Sequence, residues 1–576
     1  MTDCARLQEA MDRLNPEQFQ AVEHLDGPLL VIAGPGTGKT QLLSLRAANI
    51  LAKRDVSPSN ILCLTYTEAG AEAMRKRLIE LVGRDAYGIQ VCTFHGFANA
   101  ARTLYPDAFS RAASDKLVTG LRQMEIMDGL LQRRSFRQSL SGVYQGVARY
   151  TREMLAFVSK VKRSGVSYEQ LAVIAQQNQQ AADWLEQNSP LCDLAAQRAS
   201  VAVAERFEEE VFRAHSAAPR ELKHAIIATP GVYVPFIEQL YDTVVRTELV
   251  NEEGKTPGFR EVRDEFFDGT NKDGRFFKVR KQSEKLAAAC EVARQYQAVL
   301  DEQGLYDYDD MIFDFVHAVE ESPSLRQTLQ DRYAYIQVDE FQDTNGAQMR
   351  IVELLCEGLE RPNVMAVGDD DQAIMRFQGA TIECINQFAD RYKPCNVVLR
   401  TNYRSTPAIV DLGEKVACQV GRRLGASEGK QIVANRAQGD QLTFSETVYE
   451  TPAEEYRAIA RSIRERMDSG YTESCGNADE AIAVIAPKHA TLRALIPYLV
   501  AEDVPFSYKQ TQDVLTAECM QAVLAGIRCV AALSQGREQL CDGYLPQVVA
   551  APEFGGCHES SVAFALWARR EHHGHW

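Results

Sequence analysis

The stretch LLVIAGPGTGKT at residues 29–40 constrains this chain more than any other. An apolar run of strand length leads into a glycine-rich turn ending in Gly-Lys-Thr, and QLLSLRAANILA follows with apolar residues at helical spacing. Strand, loop and helix in that order, with A-x-x-x-x-G-K-T beginning at Ala33, form a phosphate-binding loop. Gly34, Gly36 and Gly38 leave room for backbone N–H groups to turn inward on a phosphate, at a helix N-terminus whose dipole favours negative charge. Lys39 is expected to reach the β- and γ-phosphates and Thr40 to ligate Mg²⁺. The loop predicts a nucleotide-binding α/β fold and names no reaction.

At 576 residues, the chain has room for roughly four structural units at about 150 residues each. The first fifteen residues carry acids and no apolar core of a signal peptide, and Arg528 splits the longest apolar run, so a cytoplasmic, nucleoid-associated protein is expected. Fourteen cysteines occur without a C-x-x-C pair, which favours reduced structural thiols over a zinc or iron–sulfur site.

A net charge of −16 argues against nucleic acid as a partner until its distribution is considered. Between residues 131 and 165, Arg133, Arg134, Arg137, Arg149, Arg152, Lys160, Lys162 and Arg163 face one acid, Glu153, with Phe136, Tyr144, Tyr150 and Phe157 interleaved. A second cluster, residues 272–285, joins basic residues to Phe276 and Phe277. Cations among aromatics suit a single strand, whose phosphates need charge and whose bases need a flat partner; each cluster alone reads more readily as a solvated helix face.

Along the chain, LNPEQFQAV precedes the loop and carries Gln18, whose amide can both donate to and accept from an adenine edge. ILCLTYTEAGAEAMRKRL predicts a strand that turns helical at Glu68, with Tyr66 at the strand's carboxyl end, where α/β proteins put ligands. IQVCTFHGFANAARTL repeats that design with His95. AYIQVDEFQDTN is an apolar strand ending in Asp339 and Glu340, a pairing that suits one carboxylate for hydrated Mg²⁺ and one to orient or deprotonate a water. VMAVGDDDQAIMRFQGA ends in acids and sets Gln372 to sense a γ-phosphate, and VVLRTNYRSTPAIV supplies Tyr403 and Arg404.

These motifs, together with TFHGF and YDYDDMI and in this order, closely resemble the superfamily I DNA helicases of the UvrD/Rep/PcrA type. The resemblance implies two RecA-like α/β lobes with parallel sheets: residues 1–105 and 300–392 as the ATP-binding lobe, 106–299 as an inserted helical DNA-binding subdomain, 393–515 as a partial second lobe, and 516–576 as the stub of a helical insertion. Within 106–299, ELKHAIIATP and SEKLAAACEVARQYQAVL read as helices, and residues 442–510 read as β-α-β-α-β. By the same resemblance Gln18 reads adenine, Tyr403 stacks on it, and Ala33, Gly34, Pro35, Gly36, Thr37, Gly38, Lys39 and Thr40 wrap the triphosphate. Asp339 binds Mg²⁺ through water, Glu340 is the catalytic base, Gln372 the γ-phosphate sensor and Arg404 an arginine finger, while Tyr66, His95 and Phe377 hold single-stranded DNA. Gln41, Met375, Phe377 and Gln378 depart from the family's usual arginine, tyrosine, tryptophan and arginine.

The implied activity is ATP hydrolysis coupled to 3′-to-5′ movement on single-stranded DNA and to unwinding at duplex junctions. A nucleotide-dependent single-strand-binding module is the alternative. It rests on residues 508–576, where the family's T-x-H-x-x-K-G string and second arginine-finger motif do not occur, so that slow hydrolysis without unwinding, or a protein partner supplying those motifs, is expected. A nuclease partner activity has no motif to carry it. The pathway, whether repair, replication restart, plasmid maintenance or phage defence, is not written in these residues.

Overall fold

The computed structural model describes residues 2–109, 115–135, 139–144, 147–225, 233–270, 274–374, 383–419, 430–436, 445–470, 482–508, 518–534, 536, 541, 544–551 and 562. It divides into two compact units, residues 1–444 and 445–576.

The first unit is organised on a six-stranded sheet built from β1 (Leu29–Ala33), β2 (Ile61–Thr65), β3 (Gln90–Thr93), β4 (Tyr335–Val338), β5 (Val364–Gly368) and β6 (Cys395–Leu399), in the order β6-β1-β5-β4-β2-β3. Every neighbouring pair is parallel. A parallel sheet is covered on both faces, and here strict alternation along each strand divides the cover. Leu30, Leu62, Leu64, Ile336, Val338, Val364 and Ala366 enter one core, with Phe94, Phe315 and Phe341 from the surrounding segments. Leu29, Val31, Ile61, Cys63, Tyr335, Met365 and Val367 enter the other, against Leu42, Leu45 and Leu78 of the flanking helices. The inner strands β1, β2 and β5 are therefore largely apolar and buried along their length, while the edge strands β3 and β6 carry partly exposed residues.

The helices begin where the sequence places them. Helix Lys39–Lys53 follows the glycine loop, and helix Glu68–Val82 starts at the expected residue because the Thr67 hydroxyl caps it, accepting from Gly70 N at 3.0 Å. Thr93 caps helix Phe94–Leu104 in the same way through Gly96 N. The strand β6, which the sequence reading gives to a second lobe beginning at 393, instead pairs with β1 from Leu29 to Ala33 and forms one edge of the first sheet.

Residues 106–299 form a largely helical body. Its long helix Lys278–Glu302 contains the SEKLAAACEVARQYQAVL periodicity and packs on helix Tyr168–Asn188. The ELKHAIIATP segment opens within the helix Arg220–Lys223, and the helix expected over residues 226–230 lies outside the described residues. Two short strands also interrupt the helices, Phe267–Thr270 pairing antiparallel with Gly274–Phe277. A buried ion triad ties this body to the sheet-bearing part. Lys162 Nζ lies 2.6 Å from both Asp307 and Asp310, with its side chain 1% exposed. Such a triad fixes orientation, since removing one partner strands a buried charge.

In the second unit, helices Pro452–Asp468 and His489–Ala501 pack through Ala460, Leu495 and Leu499, and helix Glu518–Ser534 contains the expected QAVLAGIRCVAAL run. The strands expected around residues 442–450, 481–487 and 504–509 are not formed among the described residues. Ile485 is 91% exposed, so AIAVIAP lacks the apolar cover of a buried strand, and among the described residues it pairs with no neighbour. Among the described residues no helix is long and apolar enough to cross a membrane.

Candidate functional site

The carboxyl ends of β1, β4 and β5 converge, and the glycine loop, the acid pair and the Asp-rich turn leave the sheet there, at the edge where open α/β sheets bind ligands. Ala33 ends β1 fully buried. Gly36 and Gly38 hold φ of +70° and +87°, the left-handed region that a side chain disfavours, so the loop can curl only because these positions are glycine. The Thr37 hydroxyl donates to Gly34 O at 2.8 Å and braces the curl from inside. Exposed Pro35 sits at its crest, and Thr40 occupies the first turn of helix Lys39–Lys53, behind the N-cap Gly38.

Gln18 is 6% exposed and uses both ends of its amide. Nε2 donates to Thr37 O at 2.9 Å, and Oε1 accepts from Asn15 N, closing a capping box on helix Pro16–Glu23. Its amide is therefore anchored to the phosphate loop. Tyr403 approaches from the other side: its N donates to Gly36 O at 2.9 Å, and its hydroxyl accepts from Asn15 Nδ2. Asn402 Nδ2 donates to Pro35 O while its Oδ1 accepts from the backbone N–H groups of Arg404 and Ser405. Exposed Arg404 thus begins directly above the loop, close enough that a Cβ on Gly36 would meet Arg404 Cβ at 2.8 Å.

Asp339 and Glu340 leave β4 facing this loop. Lys39 Nζ pairs with Glu340 Oε2 at 2.6 Å, and Gln342 Nε2 donates to the same oxygen at 2.8 Å. Glu340 holds φ of +48°, a left-handed conformation rarely adopted by a non-glycine residue and of the kind that concentrates at functional sites. Asp339 is 6% exposed and accepts from Glu340 N. Burial, and then the neighbouring Glu340 charge, push its carboxyl up to about 6, and the same two causes raise Asp343 to about 6.

The Asp-rich turn is joined to the acid pair by hydrogen bonds that the sequence did not disclose. Asp369 N donates to Gln342 Oε1 at 2.9 Å, and Asp369 Oδ2 accepts from Gln372 Nε2 at 2.5 Å. A continuous hydrogen-bonded path therefore runs from Lys39 through Glu340 and Gln342 to the Asp369 backbone, and from the Asp369 carboxylate to Gln372. Gln342 lies inside the DEFQD string, where an amide between two acids was a signal available to sequence reading.

Tyr66 and His95, expected to stack on bases, line one cavity of about 220 Å³ with Arg163, Tyr308, Asn345 and Gln348. His95 already stacks on Tyr308, ring centroids 4.0 Å apart, and burial pushes its pKa down to about 4, leaving a neutral ring. Tyr308 belongs to the quoted YDYDDMI motif, and Arg163 is held by Asp309 at 2.8 Å. Phe377, with Met375 and Gln378, lies outside the described residues.

The basic clusters divide on inspection. Lys162 is consumed by its buried triad, Arg134 by Glu291, and Phe277 is fully buried in the helical core. Arg133, Arg149, Arg152 and Lys160 remain exposed.

A parallel sheet with a glycine loop ending one central strand and paired acids ending another, two places away, defines the P-loop class of α/β fold. The chain belongs to the UvrD/REP helicase family: the UvrD/REP helicase N-terminal domain matches residues 14–226 and 236–393, and the UvrD-like helicase C-terminal domain matches residues 397–535. Its curated relatives include the ATP-dependent DNA helicase PcrA of Staphylococcus epidermidis, 25% identical over 521 residues, and that of Staphylococcus aureus, 24% identical over 522. Each alignment covers 90% of this chain and 54% of the relative, so the chain spans about half the length of the curated proteins it matches.

Proposed function

We propose that this chain is an ATP-driven DNA helicase engine that moves 3′-to-5′ along single-stranded DNA, hydrolysing ATP with Mg²⁺. The observation that carries the reading is the linkage of Lys39, Glu340, Gln342, Asp369 and Gln372 at the carboxyl edge of the sheet, one network touching the phosphate loop, the acid pair and the sensor turn.

The residues fit nucleotide and metal. The loop from Ala33 through Gly34, Pro35, Gly36, Thr37 and Gly38 turns its backbone around a cradle at a helix N-terminus, and Lys39 supplies a cation. Asp339, raised to about 6 by burial, and Thr40 would hold the metal. When bound, Mg²⁺ neutralises charge developing on the phosphates. Glu340 is positioned by its strained backbone to orient and deprotonate the attacking water, once Lys39 leaves it for the phosphates. Gln372 donates to a γ-phosphate oxygen, Arg404 stabilises the transferring phosphoryl from the segment above the loop, and Gln18 with Tyr403 bounds the base. Tyr66, His95 and Phe377 offer rings to DNA bases, and the exposed Arg133, Arg149 and Arg152 offer charge to its phosphates. The domain division proposed is the sequence one with β6 moved to the first lobe. Soluble nucleoid-associated action in the cytoplasm accords with this reading.

A nucleotide-dependent single-strand clamp is the second reading, favoured because residues 508–576 carry neither the T-x-H-x-x-K-G string nor a second arginine-finger motif. A 3′-tailed duplex separates the two. Strand displacement with ATP supports the helicase, and DNA binding with slow hydrolysis and no displacement supports the clamp, whose missing function a protein partner would supply.

A further inference from the structure

We propose that Lys430 is a positioning residue for Gln372, setting the sensor through Asp369 from the segment that follows the first sheet. The inference rests on the role given to Gln372 above.

Lys430 Nζ lies 2.7 Å from Asp369 Oδ1, 2.5 Å from Asp370 Oδ1 and 2.9 Å from Asp371 Oδ2, with its side chain 1% exposed. One carboxylate oxygen from each of the three acids lies within 4.8 Å of the other two. Three such charges repel strongly, and a buried site screens them poorly, so an ammonium at their centre decides whether the turn keeps its shape. Burial alone would discharge that lysine, yet the three carboxylates outweigh it and raise its pKa above the ordinary value.

The geometry then bears on Gln372. Asp369 uses one carboxylate oxygen for Lys430 and the other for Gln372 Nε2. An amide nitrogen carries two hydrogens. With one committed to Asp369, the side chain is fixed in one orientation and the second hydrogen is left for a phosphate oxygen. Without Lys430, Asp369 is pushed away from its neighbours or protonated, and the amide loses its anchor.

Lys430 is also placed to report on its own segment. It precedes β8 (Val433–Ala434), which pairs with β7 (Thr401–Asn402), and Asn402 holds the phosphate loop at Pro35 O. Between them Ile432 covers the loop, where a Cβ on Gly34 would meet Ile432 Cδ1 at 2.6 Å. One short segment thus rests on the loop by Ile432 and on the sensor turn by Lys430. Its displacement moves both together.

The test is a double-mutant cycle on the full chain, with ATPase measured at saturating poly-dT. Lys430→Met is expected to lower kcat by about tenfold to a hundredfold, as misplacement of a positioned group does, with KM for ATP little changed. Lys430→Arg should recover much of the loss, because it restores the charge. In a Gln372→Ala background, Lys430→Met should cost almost nothing further, since its effect passes through the missing amide. Additive losses would overturn the inference while leaving the sensor role standing. Wild-type kcat in Gln372→Ala, or a wild-type chain without ATPase, would remove the sensor reading and this inference with it. If Lys430→Met fails to fold, Lys430→Gln carries the cycle with Gln372→Ala, and additivity there counts equally against it.

Discussion

Asp339→Asn should stabilise the nucleotide-free protein above neutral pH, although it removes a residue expected to bind metal. In the folded chain burial and Glu340 raise this carboxyl from 3.8 to about 6. Two units at about 1.4 kcal/mol each come to about 3 kcal/mol. The sign follows from proton counting. Between about pH 4 and pH 6 the folded state keeps a proton that the unfolded state has lost, so stability falls as pH rises through that window, and above it the full penalty persists. Asparagine carries no such charge, and its Oδ1 can still accept from Glu340 N. The variant should therefore exceed wild type by up to about 3 kcal/mol near pH 8 and match it near pH 4. Thermal denaturation without nucleotide or metal reads the difference as a rise of a few °C, about 1 °C per kcal/mol for a unit this large. A variant less stable than wild type at both pH values would refute the reasoning, since the carboxylate would then be stabilising the fold rather than straining it. Mg²⁺ with ATP should reverse the order, because binding favours the ionised wild type.

Lys39→Ala should abolish nucleotide binding while Glu340→Gln keeps it and loses turnover, as equilibrium binding of a fluorescent ATP analogue and single-turnover hydrolysis would register; equal loss of affinity in both removes the division of roles. Tyr66→Ala should weaken poly-dT binding by about 1–3 kcal/mol with little base preference, and an unchanged titration would move the DNA path elsewhere. Charge reversal at Arg133, Arg149 and Arg152 should flatten the salt dependence of DNA binding, since fewer counterions are released, whereas an unaltered slope returns these residues to a solvated surface. Asp307→Asn should unsettle the helical body against the sheet, because Lys162 keeps its charge with one partner fewer; identical hydrogen exchange in the helix Thr151–Ser164 would contradict it.

Much of the sheet was legible because its strands are buried on both faces and so read as apolar runs, each closed by a polar turn. The turn to helix at Glu68 was legible in the pattern, and Thr67 is the residue that caps it. The reading faltered where partners decide the outcome. CNVVL looked like the opening of a new lobe, and only its pairing with β1 assigns it to the first sheet. AIAVIAP has strand composition, but its local pattern cannot supply a neighbour. The glycine loop and the acid pair were legible as short contiguous strings. Tyr308 stacking on His95 joins residues 213 positions apart, and Lys430 meeting Asp369 bridges 61, separations at which no local spacing signals contact. The basic clusters misled by proximity in sequence: Lys162 is buried among acids, while exposed Lys160, two residues away, faces water.

The central claim is that nucleotide turnover is driven by single-stranded DNA, and it is tested most directly by the steady-state ATPase rate of the purified chain with Mg²⁺, with and without poly-dT. The account predicts a low rate alone, a marked increase with poly-dT, and neither in Glu340→Gln. Hydrolysis that is indifferent to DNA, or that survives in Glu340→Gln, would contradict it.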